Sequence, residues 1–106
     1  MKLIKIVFLA ALVLAPTSLL ATDGSWDGNW VGRWGGKSSA SIRIKDNKVV
    51  AYYFNGNSQS IGATKVSGNK ISFGSGYSIT LTKLKNGDAS GHYKGNGTAT
   101  ATLVKR

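Results

Sequence analysis

Three tryptophans on one short stretch, Trp26, Trp30 and Trp34, are the side chains with the greatest capacity for ligand chemistry in this 106-residue chain. With Gly28 and Gly32 between them they share one strand parity, so three indoles project from one face. Asp27, Asn29, Val31 and Arg33 project from the other. Indoles in a row stack on sugar rings or nucleobases, and the glycines would let a flat ligand reach the backbone. The same pattern also suits a core, where bulky indoles fill a small interior and glycine permits curvature and close packing.

Groups able to do covalent or metal chemistry are few. His92 is the sole histidine and there is no cysteine, so neither a histidine-rich nor a thiolate metal site is expected, and no cofactor is expected. His92 with Asp88 and one of many serines would make a nucleophilic triad, but no G-x-S-x-G elbow accompanies them. His92 alternates with Gly91 and Tyr93 and reads as a polar-face residue. Paired carboxylates for glycoside cleavage would have to come from Asp23, Asp27, Asp46 and Asp88, all in or beside turns or at the start of the domain. Gly74-Ser75-Gly76 lacks the lysine and following helix of a phosphate loop and reads as a turn. Asn96-Gly97-Thr98 matches a glycosylation sequon, but Asn-Gly is equally hairpin chemistry. The expectation is a protein that is not an enzyme.

Charge points to partners instead. The chain carries +10 and no glutamate, and loss of Lys2 and Lys5 with a leader would lower this to +8. Such a balance favours polyanions, namely anionic glycans, lipid headgroups or nucleic acid, although spread lysines also serve solubility and edge protection. Basic and aromatic side chains alternate in Arg33-Trp34, Arg43 to Lys48, Tyr52-Tyr53 and Tyr93-Lys94. The candidate ligand contacts are therefore Arg33, Arg43, Lys45, Tyr52 and Tyr53, joined by Trp30 and Trp34 if the indole face is open. Nucleic acid is the less favoured partner, because no RNA- or cold-shock-type signature is present.

The elements that position these residues follow an apparent export leader. Met1 to Lys5 carries two lysines, and Ile6 to Ala15 is an apolar block ended by Pro16. A membrane span needs roughly 20 apolar residues, and Thr22-Asp23-Gly24-Ser25 arrives too early. Residues 1–21 are expected to be a signal peptide that is helical and cleaved, leaving residues 22–106 as one domain, periplasmic or secreted, without a transmembrane anchor.

Beyond the leader no helical periodicity is sustained, whereas two-residue alternation recurs between turn signals. Asp46-Asn47, Asn55-Gly56, Gly68-Asn69, Gly74-Ser75-Gly76, Asn86-Gly87 and Asn96-Gly97 cut the chain into about eight segments. The pattern predicts strands near Trp26–Trp34, Ala40–Lys45, Val49–Phe54, Ile61–Val66, Lys70–Phe73, Tyr77–Leu84, Ser90–Lys94 and Thr98–Val104. Ile42 and Ile44, Ile79 and Leu81, and Ala99, Ala101 and Leu103 each mark an apolar face opposite a Ser/Thr/Lys/Arg face. An all-β fold follows: a small antiparallel up-and-down meander of short strands forming a barrel or partly open barrel. Val49 to Phe54 is apolar on both faces, so some of its surface is expected to meet a ligand or another chain.

The Gly28-Asn29-Trp30 and Gly32-Arg33-Trp34 steps on an opening strand, followed by a meander and a basic C-terminus, resemble the first strand of lipocalins and avidins. That resemblance implies a barrel binding a small ligand in its mouth, with Lys105 or Arg106 packed over a tryptophan at the base. The whole region after the leader also resembles small exported bacterial β-meander proteins that open W-x-G-x-W and end in an alternating Ala-Thr strand, a likeness that brings no activity with it. The function expected from the sequence is a binding module for a glycan or anionic envelope component. The alternative is an interaction module that forms homo-oligomers or docks to another exported protein through its Tyr/Phe strand and unpaired edges.

Overall fold

The computed structural model describes residues 26–106, so the expected leader, residues 1–21, lies outside the described residues. The described residues form nine antiparallel strands: β1 (Gly28–Trp34), β2 (Ser38–Lys45), β3 (Lys48–Phe54), β4 (Asn57–Ser58), β5 (Lys65–Ser67), β6 (Lys70–Phe73), β7 (Ser78–Lys83), β8 (Ala89–Lys94) and β9 (Thr98–Lys105). Their order in space is β4-β3-β2-β1-β9-β8-β7-β6-β5. The all-β meander expected from the alternation is present and curls into a half-barrel. Its first and last strands pair at the centre of the sheet, through Trp30 with Lys105 and Val31 with Val104. The seam therefore falls in the middle of the sequence, between β4 and β5.

The turns behave as their residues demand. Asp46 and Asn47 both take positive φ, 55° and 56°, as do Asn55 and Gly56, 50° and 82°. Two consecutive left-handed residues match the right-handed twist of the flanking strands, which is why Asx and Gly occupy them. Asp27 secures the first of these turns: its two carboxylate oxygens accept from the backbone N–H groups of Asn47 and Asp46 at 2.8 and 2.9 Å.

Two departures from the expected strands have local causes. Ile61–Val66 is not one strand, because Gly62 sits at φ 63° and breaks the extended run; only Lys65–Ser67 pairs. The freed segment straps the seam instead. Ile61 O accepts from Gly74 N, Thr64 Oγ1 accepts from Val49 N, and Gln59 N donates to Tyr52 O. The second departure is in β3, where the pairing slips between Arg43 and Ile44 so that Val50 has no partner on β2. This bulge turns Val49 and Tyr52 inward although they are three residues apart, leaving Val50 and Tyr53 exposed. The strand is therefore apolar on both faces, with Val49 and Tyr52 in the core and Val50 and Tyr53 outside.

All three indoles face inward. Trp26 and Trp30 are fully buried at one end, the base, where Trp30 Nε1 donates to Trp26 O at 2.8 Å and their rings lie 5.4 Å apart. Lys83 Nζ lies 4.9 Å from the Trp26 ring and Lys105 Nζ lies 5.5 Å from the Trp30 ring, placing two cations against the indoles that plug this end. Above them Ile42, Ile71, Ile79, Leu81 and Leu103 complete a continuous core.

Candidate functional site

At the opposite end the core is aromatic. Trp34 closes β1, Tyr52 and Phe54 close β3, Tyr77 leads into β7 and Tyr93 nearly closes β8. Each lies beside a turn rich in Gly or Asn, so the large rings converge where the backbone reverses with little bulk of its own. The Tyr77 and Tyr93 rings stack at 5.9 Å and 23°, Trp34 lies 6.0 Å from Tyr93, and Tyr52 lies 5.9 Å from Tyr77. Tyr52 also meets Phe73 edge-on at 5.7 Å, a contact that carries the core across the seam. Trp34, Tyr52, Phe54, Tyr77 and Tyr93 line a mouth cavity of about 470 Å³.

Gly91 makes this packing feasible. A Cβ there would stand 2.7 Å from Leu103 Cδ1 and 3.3 Å from both Leu81 Cδ2 and the Trp34 ring, so glycine lets the two leucines and the indole pack down on β8 without displacing one another.

The cavity floor carries one polar arrangement. Trp34 Nε1 donates to the Tyr52 hydroxyl at 2.9 Å, with both side chains buried. The indole N–H has no second proton to give, so the tyrosine oxygen is the acceptor and its own O–H remains a donor. Among the described residues that proton has no acceptor. Burial holds the Tyr52 phenol above its ordinary pKa against the opposing effect of the Trp34 bond, with Tyr93 adding to the rise. It is therefore a neutral donor. Tyr77 is pushed up to about 12, first by burial and then by Tyr52 and Tyr93, and its hydroxyl donates to Ser60 O on the strap.

The rim is polar, with Lys37, Ser38, Gln59, Asn96 and Thr98 around the opening. No carboxylate lies on the four turns at this end: Asp27, Asp46 and Asp88 all belong to the base end.

The residues singled out from sequence divide into three groups. Trp34 and Tyr52 meet at the mouth. Trp30 does not join them, because the indole face is closed and its ring is wholly buried among core side chains; it is a core residue. Arg33 and Tyr53 lie together on the outer face, beside a depression of about 530 Å³. Arg43 is exposed on the outer face of β2, paired with Asn29 and Ala51, and Lys45 ends β2 beside the base hairpin; neither lines the mouth. Phe54, Tyr77 and Tyr93 complete the mouth without belonging to the candidate contacts the sequence suggests. Tyr77 shares the parity of Ile79 and Leu81, and Tyr93 that of Gly91 and Ala89, so an inward position at a turn was the available signal.

His92 is exposed on the outer face between Thr80 and Thr100, four residues from Asp88. At about 3.3 Å per residue the two are about 13 Å apart along the chain, too far for a hydrogen bond. No protein-family model, curated protein or solved structure matches this chain.

Proposed function

We propose that this chain is a non-enzymatic binding module, exported to the periplasm or beyond, that holds one ring of a glycan in its aromatic mouth. The observation that carries this reading is the Tyr52 hydroxyl, a buried neutral donor on the floor of an aromatic-walled cavity. At the floor of an open cavity this donor faces the space a ligand would enter, and a sugar hydroxyl or ring oxygen would supply its acceptor in place of water. The flat faces of Tyr93 and Phe54 suit the apolar face of a pyranose, while Lys37, Gln59 and Asn96 offer contacts for its substituents. Among the described residues the rim carries one lysine and no carboxylate.

The test is calorimetric titration of the protein and of Tyr52→Phe with a neutral N-acetylglucosamine tetramer. Binding weakened about tenfold or more by loss of the single oxygen supports the reading. Equal affinity for both proteins contradicts it.

A second reading draws on the outer face of β3, where Val50 and Tyr53 are 47% and 41% exposed next to the short edge strand β4. In it, this surface mediates homo-oligomerisation or docking to another exported protein. Salt-insensitive dimerisation abolished by Tyr53→Ser would support it, and a monomer at all concentrations would exclude homo-oligomerisation.

A further inference from the structure

We propose a second ligand site, on the outer face of the sheet, for an acidic glycan chain bearing carboxylate groups. It shares no lining residue with the mouth and does not rest on the mouth reading.

The strand register builds it. Tyr53 pairs with Ser41, Ser41 with Val31, and Val31 with Val104, so these four form a transverse row on the outer surface of β3, β2, β1 and β9. Val31 and Val104 provide an apolar floor, and Tyr53 stands beside it with 41% of its surface exposed. Arg33 lies two residues beyond Val31 on β1. Arg106 lies two residues beyond Val104 in the opposite direction, held by its N–H donating to Asn29 O at 2.8 Å. The two arginines therefore flank the floor at opposite ends, with backbones about 13 Å apart by strand rise. The depression between them holds about 530 Å³ and includes the hydroxyl residues Ser39 and Thr102.

This combination selects a ligand class. Guanidinium groups match carboxylates in a planar two-bond geometry. Arg33 uses Nη1 to donate to Lys37 O at 2.9 Å, which orients the group and leaves its other donors available. Among the described residues neither arginine has a carboxylate partner, and no acidic residue lines the depression. A row that carries two valines and, beyond Ser41, a tyrosine suits the apolar faces of successive sugar rings, and arginines at both ends suit a chain whose acid groups recur along its length. A single small anion would engage only one end.

The test titrates the protein with tetragalacturonate, followed by backbone amide NMR and by calorimetry. The expected result is perturbation centred on Val31, Ser41 and Val104, with affinity reduced about tenfold or more in Arg33→Gln/Arg106→Gln. Absence of binding overturns the proposal, as does perturbation centred on Trp34 and Tyr93, which would move the acidic sugar to the mouth. An equal loss of affinity in Lys65→Gln/Lys70→Gln, distant on β5 and β6, also overturns it by showing attraction to diffuse charge.

Discussion

The indole N–H of Trp34 and the hydroxyl of Tyr52, 18 residues apart in sequence, form a buried hydrogen bond of 2.9 Å on the floor of the half-barrel's open end. The bond ties β1 to β3 across β2 and orients the tyrosine proton. Tyr52→Phe leaves the Trp34 donor buried and unpaired, so the protein should lose about 1–3 kcal/mol of stability. Trp34→Phe should cost about 3 kcal/mol through lost packing. Because the two share one bond, the double variant should be destabilised by less than the sum, which a denaturant double-mutant cycle measures.

Gly32 and Gly97 make a matched pair for testing the β1–β9 closure. A Cβ at Gly32 would lie 2.4 Å from the carbonyl oxygen of Thr102, a backbone atom that cannot step aside, whereas a Cβ at Gly97 meets nothing within 4 Å. Gly32→Ala should destabilise by about 2–4 kcal/mol or prevent folding, while Gly97→Ala should stay within about 0.5 kcal/mol of the parent. Thermal unfolding of both variants checks this.

Acid should loosen the base end through Asp27. Its carboxylate accepts from the backbone of Asn47 and then of Asp46, and these bonds hold its pKa below the ordinary aspartate value of 3.8. A group lowered on folding contributes stability that is present above its unfolded value and lost as pH falls through its folded value. The parent's stability should therefore drop below about pH 4, and Asp27→Asn should flatten that limb of the profile. Denaturant midpoints across the acid range report the difference.

Alkali acts on the other end. Tyr77 is raised from 10.0 to about 12, with burial as the largest cause. For a group raised on folding, its contribution is complete below the unfolded value and disappears as pH climbs through the folded one. Stability should decline from about pH 10 to pH 12, and Tyr77→Phe should weaken that decline while loosening the strap at Ser60. Phenolate absorbance recorded against pH identifies the late-titrating tyrosine by its loss in the variant.

Much of this fold is legible in the sequence because its faces alternate cleanly. Ile42 and Ile44 or Ile79 and Leu81 can point only one way once the polar residues between them are exposed, and Asp46-Asn47 and Asn55-Gly56 announce their turns. The seam is harder to read. Ile61 to Thr64 has strand composition, yet Gly62 adopts a left-handed conformation and its neighbours bond across the opening. Gly62 marks the break, but the partners that hold the segment, Gly74 and Val49, lie elsewhere in the sequence. The bulge at Val50 is hidden for the same reason, since a run of apolar residues does not reveal where pairing slips. The tryptophans posed a choice between core and ligand surface that parity alone could not resolve. Position along the barrel axis separates them, with Trp26 and Trp30 at the plugged end and Trp34 at the mouth. Tyr77 and Tyr93 join Trp34 only because hairpins distant in sequence end at the same rim.

The most direct test of the mouth is to follow the three indole N–H resonances while titrating the protein with a neutral N-acetylglucosamine tetramer. Trp34 should shift alone and in proportion to saturation, because its N–H bonds the hydroxyl that would meet the sugar, while Trp26 and Trp30 remain still beneath the core. Three unmoved resonances at saturating sugar, or a shift of Trp26 or Trp30 in place of Trp34, would contradict the account.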